Sequence, residues 1–588
     1  MQYTMNHMRT ITRLMVLWLC GTTALANNIE VSNAAIVSKN GTEMYAMVQF
    51  DISWDNSWRG SGEVGVPFVP YNWDAAWVFI KYRVSGGDWK HAWLNNTGHS
   101  APSGGVIETG LLTAGAEFNV TTNPALGVFL FRNAIGAGDI SFSNVQLRWN
   151  YGANGVTNED VVDVVVYAVE MVYVTQDPFY LGSGGTESGC FTNGSFNKDQ
   201  VWSVTVPPGQ GGSGYDWDDP PTVSLSGGGG SEAEAEVSNI TLGAVRSITV
   251  TNNGYGYFTA PTVTISGGSG SGATATAALG SQGATTFQII GEGAIDIERA
   301  SGKLWGTTQN TGFGSTIGPP GTLPAAFPKG YKAFYCMKHE ITQQQYVDFL
   351  NSLTTVQATA RYPNQTTYRH AITVTEGIYG TSLPDVACNY LSWSDVVAIL
   401  DWMALRPMTE LEFEKASKGT ALPSANQYPW GTGAPTAATG LSNAGSSDEE
   451  PSNSSNSAYN ICSPNCYSLS GPIRVGAFAG DATNRETSGA SYYGILELSG
   501  NVREWVVGVG KETGRNYTGL HGDGLIDVTH GTADVPAWPS GSFPDGIGFR
   551  GGDWMNYHAF MQVSDRTVAS MPNSRQAYSG GRGVRTAP

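Results

Sequence analysis

Charge is scarce in this chain. Charged side chains make up 14% of 588 residues, and acids outnumber bases enough to leave a formal net charge of −18. That balance excludes an ordinary nucleic-acid binder, because phosphate backbones are met by clustered Lys and Arg. Acidity is compatible with calcium binding, though solubility alone accounts for it. Cysteine and histidine are also scarce, at six and eight. No second Cys/His pair complements Cys462 and Cys466 at a spacing that would hold zinc, and no HxxxH pair occurs. Beyond the first residues no apolar run is long enough for a transmembrane helix. What the chain does have is 76 glycines, 17 tryptophans and 26 tyrosines. Sparse charge with many glycines and aromatics points to β-rich extracellular domains with turn-heavy loops.

The N-terminus reads as an export signal over 1–26. Arg9 and Arg13 give a basic start, Leu14 to Leu19 a short apolar core, and Ala24-Leu25-Ala26 the small-x-small pattern of a cleavage site. Leu19 is too large to precede a lipidated Cys20, so simple cleavage near Asn27 is expected. Five cysteines then remain: Cys190, Cys336, Cys388, Cys462 and Cys466. Export permits disulfides, but an odd number cannot all pair within one chain.

Residues 27–166 read as an all-β sandwich. Tyr45–Ile52, Trp77–Tyr82 and Gly127–Phe131 are strand-like runs separated by Gly, Pro and Asn clusters. Trp54, Trp58, Trp73, Trp77, Trp89 and Trp93 crowd this region. Stacking on sugars is one use for them; filling the core and its rims is the better-supported one. Residues 212–280 hold a repeat. Pro221-Thr222-Val223-Ser224-Leu225-Ser226-Gly227-Gly228 returns 40 residues later as Pro261-Thr262-Val263-Thr264-Ile265-Ser266-Gly267-Gly268, each copy preceded by Gly-Tyr (Gly214-Tyr215, Gly256-Tyr257). Two copies of one β unit imply a folded module. It resembles the glycine-rich β repeats of bacterial surface proteins and phage fibres. Residues 298–327 read as a loop-rich connector.

Helices appear from Pro328 onward. Thr342-Gln343-Gln344-Gln345 is a capping box, with Tyr346, Phe349, Leu350 and Leu353 on one face. Ser392 to Asp395 opens a second helix and Thr409-Glu410-Leu411-Glu412 a third. Short helices among glycine-rich loops and short strands indicate an α+β domain. The same region carries Glu340-Ile341-Thr342, Arg406 through Glu414, Tyr428-Pro429-Trp430-Gly431, Gly500-Asn501-Val502-Arg503-Glu504-Trp505, Arg550-Gly551-Gly552-Asp553-Trp554 and Gly583-Val584-Arg585. In this order the motifs resemble the formylglycine-generating enzyme, or sulfatase-modifying factor, family. Glu170–Val174 with Phe179–Gly182 is similar to that family's opening strand. The resemblance implies an elaborated C-type-lectin-like fold, low in regular structure, with its opening strand at 167–190, an inserted glycine-rich module and connector at 191–327, and the main body at 328–588.

What the resemblance implies about chemistry is divided. The family oxidises a sulfatase cysteine with copper(I) held by two cysteines, soft ligands that suit that ion. Here those positions fall on Asn556 and Met561, so neither offers a thiolate and a copper centre is not expected. A related branch uses iron held by histidines. His521-Gly522-Asp523 echoes part of such a triad, and His558 lies near the lost cysteines, but each also reads as an ordinary turn or surface residue. The family's calcium sites map more fully. One would use Glu497, the carbonyls of Gly500 and Val502, and Glu504; a second would use Asn443 and the carbonyl of Ala444. The bland alternative is that Glu504 pairs with an arginine and Glu497 is solvated. The expectation is thus a secreted binding or structural protein on a non-catalytic formylglycine-generating-enzyme-like domain, meeting a protein or glycan at the cell surface or its own copies in a filament or sheath. The alternative is an exported metal oxidase of that family or of the non-haem type.

Overall fold

The computed structural model describes residues 29–588 apart from 62–70, 186, 195–199, 256, 258, 280–285, 301, 307–316, 434, 439, 453–468, 480–483 and 542–545. The export-signal residues, Cys462 and Cys466 lie outside the described residues. Among the described residues strands dominate, helices are few and short, and none is long and apolar enough to cross a membrane.

Eight strands come first: β1 (Glu30–Asn40), β2 (Tyr45–Arg59), β3 (Asp74–Val84), β4 (Lys90–His91), β5 (Gly105–Leu111), β6 (Ala125–Arg132), β7 (Gly136–Trp149) and β8 (Val162–Val174). β2 alternates as a half-buried strand should, with Ala46, Val48, Phe50, Ile52 and Trp54 inward. It is the middle of a three-stranded sheet, β1-β2-β7. β3 is different, because Asp74 through Tyr82 are all buried. Its even-numbered Ala76, Val78, Ile80 and Tyr82 face the core shared with β2 and β7. Its odd-numbered Ala75, Trp77 and Phe79 face a second core made mostly by the C-terminal region. β6 divides the same way, Val128 and Leu130 against Phe129 and Phe131. A strand covered on both faces reads as a continuous apolar run, which is why Trp77–Tyr82 shows so little alternation.

The second core has no seam at residue 166. β8 pairs with β3 along its length, from Val162 opposite Val84 to Val172 opposite Asp74. Its far end pairs with a strand more than 150 residues downstream, as described below. The boundary expected between 166 and 167 falls inside this strand, which serves both units. Trp77 donates to the Met403 carbonyl at 2.8 Å, Lys81 to those of Trp402 at 2.7 Å and Gly524 at 2.6 Å, and Asn72 to that of Tyr493 at 2.6 Å. Gly127 leaves room for this contact: a Cβ there would lie 2.6 Å from the Val78 carbonyl oxygen and 2.7 Å from the Trp77 ring.

After β9 (Phe179–Leu181) and β10 (Phe191–Thr192) the chain enters the glycine-rich module: β11 (Val201–Thr205), β12 (Gly211–Ser213), β13 (Thr222–Ser226), β14 (Ser231–Thr241), β15 (Ala244–Tyr255), β16 (Thr262–Ser266), β17 (Ser271–Ala273) and β18 (Thr276–Leu279). Six of them form one sheet in the order β16-β13-β14-β15-β11-β18, and β12 pairs with β17. The two repeats interlock. A Cβ on Gly228 would press on Thr259 and lie 3.2 Å from the Pro261 nitrogen, and one on Gly268 would lie 3.1 Å from the Pro221 nitrogen. Each copy's glycine thus seats the other copy's proline. Val204, Tyr215, Val223, Val237, Val245, Ile248 and Tyr257 give the module a core of its own.

The chain returns through β19 (Phe287–Ile289), which pairs with β9, then β20 (Ile295–Ile297), β21 (Trp305–Gly306), which pairs with β10, and β22 (Gly321–Leu323). β23 (Phe334–Met337) pairs with β8, Phe334 opposite Val174, and with the final strand Gly583–Thr586, Cys336 opposite Val584. Among the helices that follow are α1 (Gln343–Asn351), α2 (Thr355–Arg361), α3 (Trp393–Trp402) and α4 (Glu410–Lys418). Each begins with a capping box, from Thr342, Thr354, Ser392 and Thr409, so orphan amides of the first turn are satisfied locally.

Candidate functional site

The sequence Thr-Glu-Leu-Glu-Phe-Glu places three glutamates along α4, and all three are buried. Glu410 accepts from Arg566 Nε at 2.7 Å and Nη2 at 3.0 Å, and from Arg550 Nη1 at 3.2 Å. Glu412 takes the Arg406 fork at 2.9 and 2.6 Å. Glu414 accepts from Arg550 at 2.9 Å, Lys418 at 2.6 Å and the Gly182 amide at 2.7 Å. Burial pushes the Glu414 carboxyl up, but Lys418 and Arg550 outweigh it and hold it below its ordinary value. Buried charges persist only when paired and hydrogen-bonded. Here the pairing ties the helix to the opening segment after β9, to Ile547–Arg550 and to the loop at Arg566.

Beside this frame lies the loop before strand Arg503–Val507. Glu497 and Asn501 take left-handed φ values of 50° and 55°, the region in which side chains other than Gly, Asn and Asp are uncommon. Glu497 accepts from the Gly476 amide at 2.9 Å and faces His339 Nδ1 at 3.3 Å. Glu340 accepts from Asn501 Nδ2 at 2.6 Å and the Val502 amide at 3.0 Å. Arg582 Nη2 stands 2.7 Å from Glu504 Oε1, yet neither Glu504 oxygen receives an aligned hydrogen bond. Its other donors go to the carbonyls of Met337, Lys338 and Leu496. Burial raises all three carboxyls: Glu497 to about 7, Glu504 above its ordinary value, and Glu340 well above it.

These motifs, assembled around α4 and the Arg550 strand, match a known family over residues 309–587: the sulfatase-modifying factor enzyme 1-like domain. The C-terminal part of this chain is a sulfatase-modifying factor domain. No curated protein gives a significant match to the chain.

Within the sulfatase-modifying factor domain, the two positions that the sequence suggested for the family's cysteines, Asn556 and Met561, are both engaged. Asn556 donates from Nδ2 to Asp553 at 3.0 and 2.9 Å, and Asp553 is ion-paired with Arg503. Met561 is buried against Tyr428 and Trp430, and its carbonyl accepts from the Ser499 hydroxyl. His558 holds Tyr428 Oη at 2.8 Å through Nδ1. Cys190, Cys336 and Cys388 are buried free thiols in other parts of the fold, and burial pushes each thiol up, Cys190 to about 11 and Cys336 to about 12. A thiol held protonated is a poor nucleophile and a poor soft-metal ligand.

The structure separates His521 from Asp523. His521 accepts from the Thr586 amide at 3.1 Å and faces the Leu112 carbonyl at 3.2 Å, so both ring nitrogens are used. Asp523 instead joins Asp401 and Asp534, each with one oxygen within 4.8 Å of the others. Asp401 is buried there, its oxygens accepting from the Asp523 and Asp534 amides. Lys81 from β3 interacts electrostatically with Asp401 and Asp523, while burial pushes its ammonium well down. At the other expected calcium position, Asn443 donates to Asp448 at 3.1 Å and its carbonyl accepts from Ser446. Ala444 is exposed beside it, and the Gly445 amide donates to Glu449, which also pairs with Arg369. The sequence reading named neither Glu449 nor Arg582. Arg582 was legible only as a charge directly before the Gly583-Val584-Arg585 motif.

Proposed function

We propose that this chain is an exported, non-catalytic protein of the extracellular space, in which a sulfatase-modifying factor domain has become a binding or structural scaffold. The observation that carries this reading is the pair Asn556 and Met561. The family's oxidation requires two thiolates at these positions, and here an amide locked on Asp553 and a buried thioether stand in their place. The basic start and apolar core of residues 9–26 support export. The test is to incubate the protein with copper and a cysteine-containing sulfatase peptide and to look for the aldehyde by mass spectrometry. No conversion is expected; robust conversion would overturn the reading and favour the oxidase alternative.

We further propose calcium at the Glu497–Glu504 loop. Glu340, Glu497 and Glu504 repel one another beside the Arg582 guanidinium, Arg474 and Lys338 also face Glu497, and both Glu504 oxygens lack an aligned donor. Calcium accepts such hard oxygen ligands, carboxylate and carbonyl alike. Glu497 and Glu504 would hold it, with the carbonyls of Gly500 and Val502; the ion would neutralise the loop and carry no chemistry. The second set, Asn443 and Ala444, now has Asp448 beside it as an acidic neighbour. Binding to the folded state alone raises the melting temperature. Thermal unfolding in calcium and in chelator, for the natural chain and Glu504→Gln, is expected to show a chelator-sensitive shift in the first only.

A further inference from the structure

Three ionisable side chains meet in the buried seam between the N-terminal strands and the sulfatase-modifying factor domain. Asp74 opens β3, Glu170 stands on β8, and Lys338 directly follows β23. The sheet register sets them side by side. Glu170 lies opposite Ala76, and Asp74, two residues before Ala76, shares its face. The Lys338 amide donates to the Glu170 carbonyl at 2.9 Å. Lys338 Nζ donates to Glu170 Oε2 at 2.8 Å and stands 3.9 Å from Asp74 Oδ2. All three side chains are at most 4% exposed, and the Trp58 ring lies 5.1 Å from Nζ.

The Asp74 carboxyl is held in a fixed orientation. Oδ1 accepts from the Ser57 hydroxyl at 2.7 Å and the Trp58 amide at 3.0 Å, and Oδ2 accepts from Trp54 Nε1 at 2.9 Å. Arg132 Nε donates to the Ser57 oxygen at 3.1 Å behind this contact. Paired donors on one oxygen stabilise the charge it gains when a nucleophile adds to the carbon. The other oxygen faces the amine. Burial pushes the Asp74 carboxyl up despite Lys338 and these donors, which favours the neutral acid that an amine can attack. Burial pulls the Lys338 ammonium down, but Glu170 and Asp74 outweigh it, and Glu497 adds to them. The free amine therefore forms only as its proton crosses to Glu170.

We infer that Lys338 and Asp74 condense into an isopeptide amide, with Glu170 as the proton carrier. The ammonium passes a proton to Glu170 Oε2, and the freed lone pair attacks Asp74 Cγ. The carbonyl electron pair moves to Oδ1, where Ser57 and the Trp58 amide hold it. As it returns, the Cγ–Oδ2 bond breaks. Oδ2 leaves as water with its own proton and the one from Glu170, and Glu170 takes a proton from the new C–N linkage. One proton stays on the amide nitrogen, and no oxidant or other reactant is consumed. The step need occur only once per chain, so a small amine population suffices, and proximity replaces encounter. It also removes charges that are costly to keep buried. The bond would weld β3 to the C-terminal domain. Cys190, Cys336 and Cys388 are free thiols, so the amide would brace this seam without a disulfide. This inference goes beyond the binding or structural role proposed above and does not depend on it.

The experiment is mass spectrometry of the full secreted chain after denaturation and reduction, followed by sequencing of its tryptic digest. The natural chain is expected to weigh one water less than its composition, counted from its observed N-terminus. Trypsin is expected not to cut after the acylated Lys338, and one branched peptide is expected to carry Lys338 and Asp74 together. Asp74→Ala and Glu170→Gln are each expected to keep the full mass and to restore the cut. The branched peptide is read from the natural chain, so a variant that folds poorly does not decide the matter. A natural chain of full mass that is cut after Lys338, or a water loss that persists in Asp74→Ala, would overturn the inference. A Glu170→Gln chain that cross-links as completely as the natural one would overturn the role of Glu170.

Discussion

The three glutamates of α4 concentrate much of what single residues contribute here. Each is fully buried, and each has its own guanidinium or ammonium. Glu410→Gln leaves Arg566 and Arg550 facing a neutral amide inside the protein. Removing one partner of such a pair destabilises by roughly 3–5 kcal/mol, and denaturant unfolding is expected to show a loss of that order. Asp565 makes the opposite case. It is 7% exposed, accepts from the Thr567 amide and hydroxyl, and is pushed up by burial to about 6. A carboxyl whose folded value lies above its ordinary 3.8 binds its proton more tightly when folded. Its contribution is full below that ordinary value and is lost as pH rises through about 6. Asp565→Asn cannot ionise, so its stability relative to the natural chain is expected to rise across that window. A constant difference would show that Asp565 ionises freely in the fold. At this scale the sequence was half legible. The Thr409–Glu412 capping box was readable because it spans four residues. The pairing of Glu410 with Arg550 and Arg566 was not, because no local pattern states which charges meet across 140 residues or more. Glu504 does stand against an arginine, Arg582, as the bland alternative held, but Glu497 is buried where that alternative had it solvated.

Among the elements, β3 and the glycine-rich module show why some patterns were easier to read than others. Trp77 to Tyr82 was readable as a strand from composition, and Trp54, Trp73 and Trp77 do lie in the core. That β3 is buried on both faces needs knowledge of what lies across each face, which a single strand does not carry. The repeat was legible as a 40-residue step because Gly and Pro are required at fixed places. Its interlocked pairing, with Gly228 seating Pro261 and Gly268 seating Pro221, was not, since adjacent packing of the copies would leave the same step in the sequence. The module has its own core, and its entry and exit are neighbours. Deleting 201–279 and joining the ends with a short flexible linker is therefore expected to leave the rest folded, since loop closure over a few residues is cheap. The melting transition of the remaining body should keep its midpoint and sharpness. A broadened transition would mean that the module braces β9 and β19.

At the scale of the whole molecule, the N-terminal strands and the sulfatase-modifying factor domain share one sheet, so neither is expected to fold without the other. β8 fills the position between β3 and β23. Without it β23 becomes a sheet edge, and an exposed apolar edge recruits other chains. Tyr335 would also lose Phe129, stacked at 3.7 Å, and Trp402 would lose Phe79 at 5.3 Å. Arg585, whose guanidinium lies 4.4 Å from the Trp77 ring and donates to the Leu111 carbonyl at 2.6 Å, would be left without either. A fragment spanning the family match alone, 309–587, is accordingly expected to aggregate or to lack fixed packing. Near-ultraviolet circular dichroism and dye binding would report that state. The converse test uses the chain lacking 201–279. Trp77→Ala there opens a cavity at the shared face, expected to destabilise by roughly 3–5 kcal/mol. If the sheet is one cooperative unit, the N-terminal tryptophan fluorescence and the near-ultraviolet signal of the C-terminal core fall together and by the same shift. A Trp77→Ala chain in which the N-terminal signal melts early while the C-terminal core holds would divide the sheet at β8 and restore the two-domain division the sequence suggested.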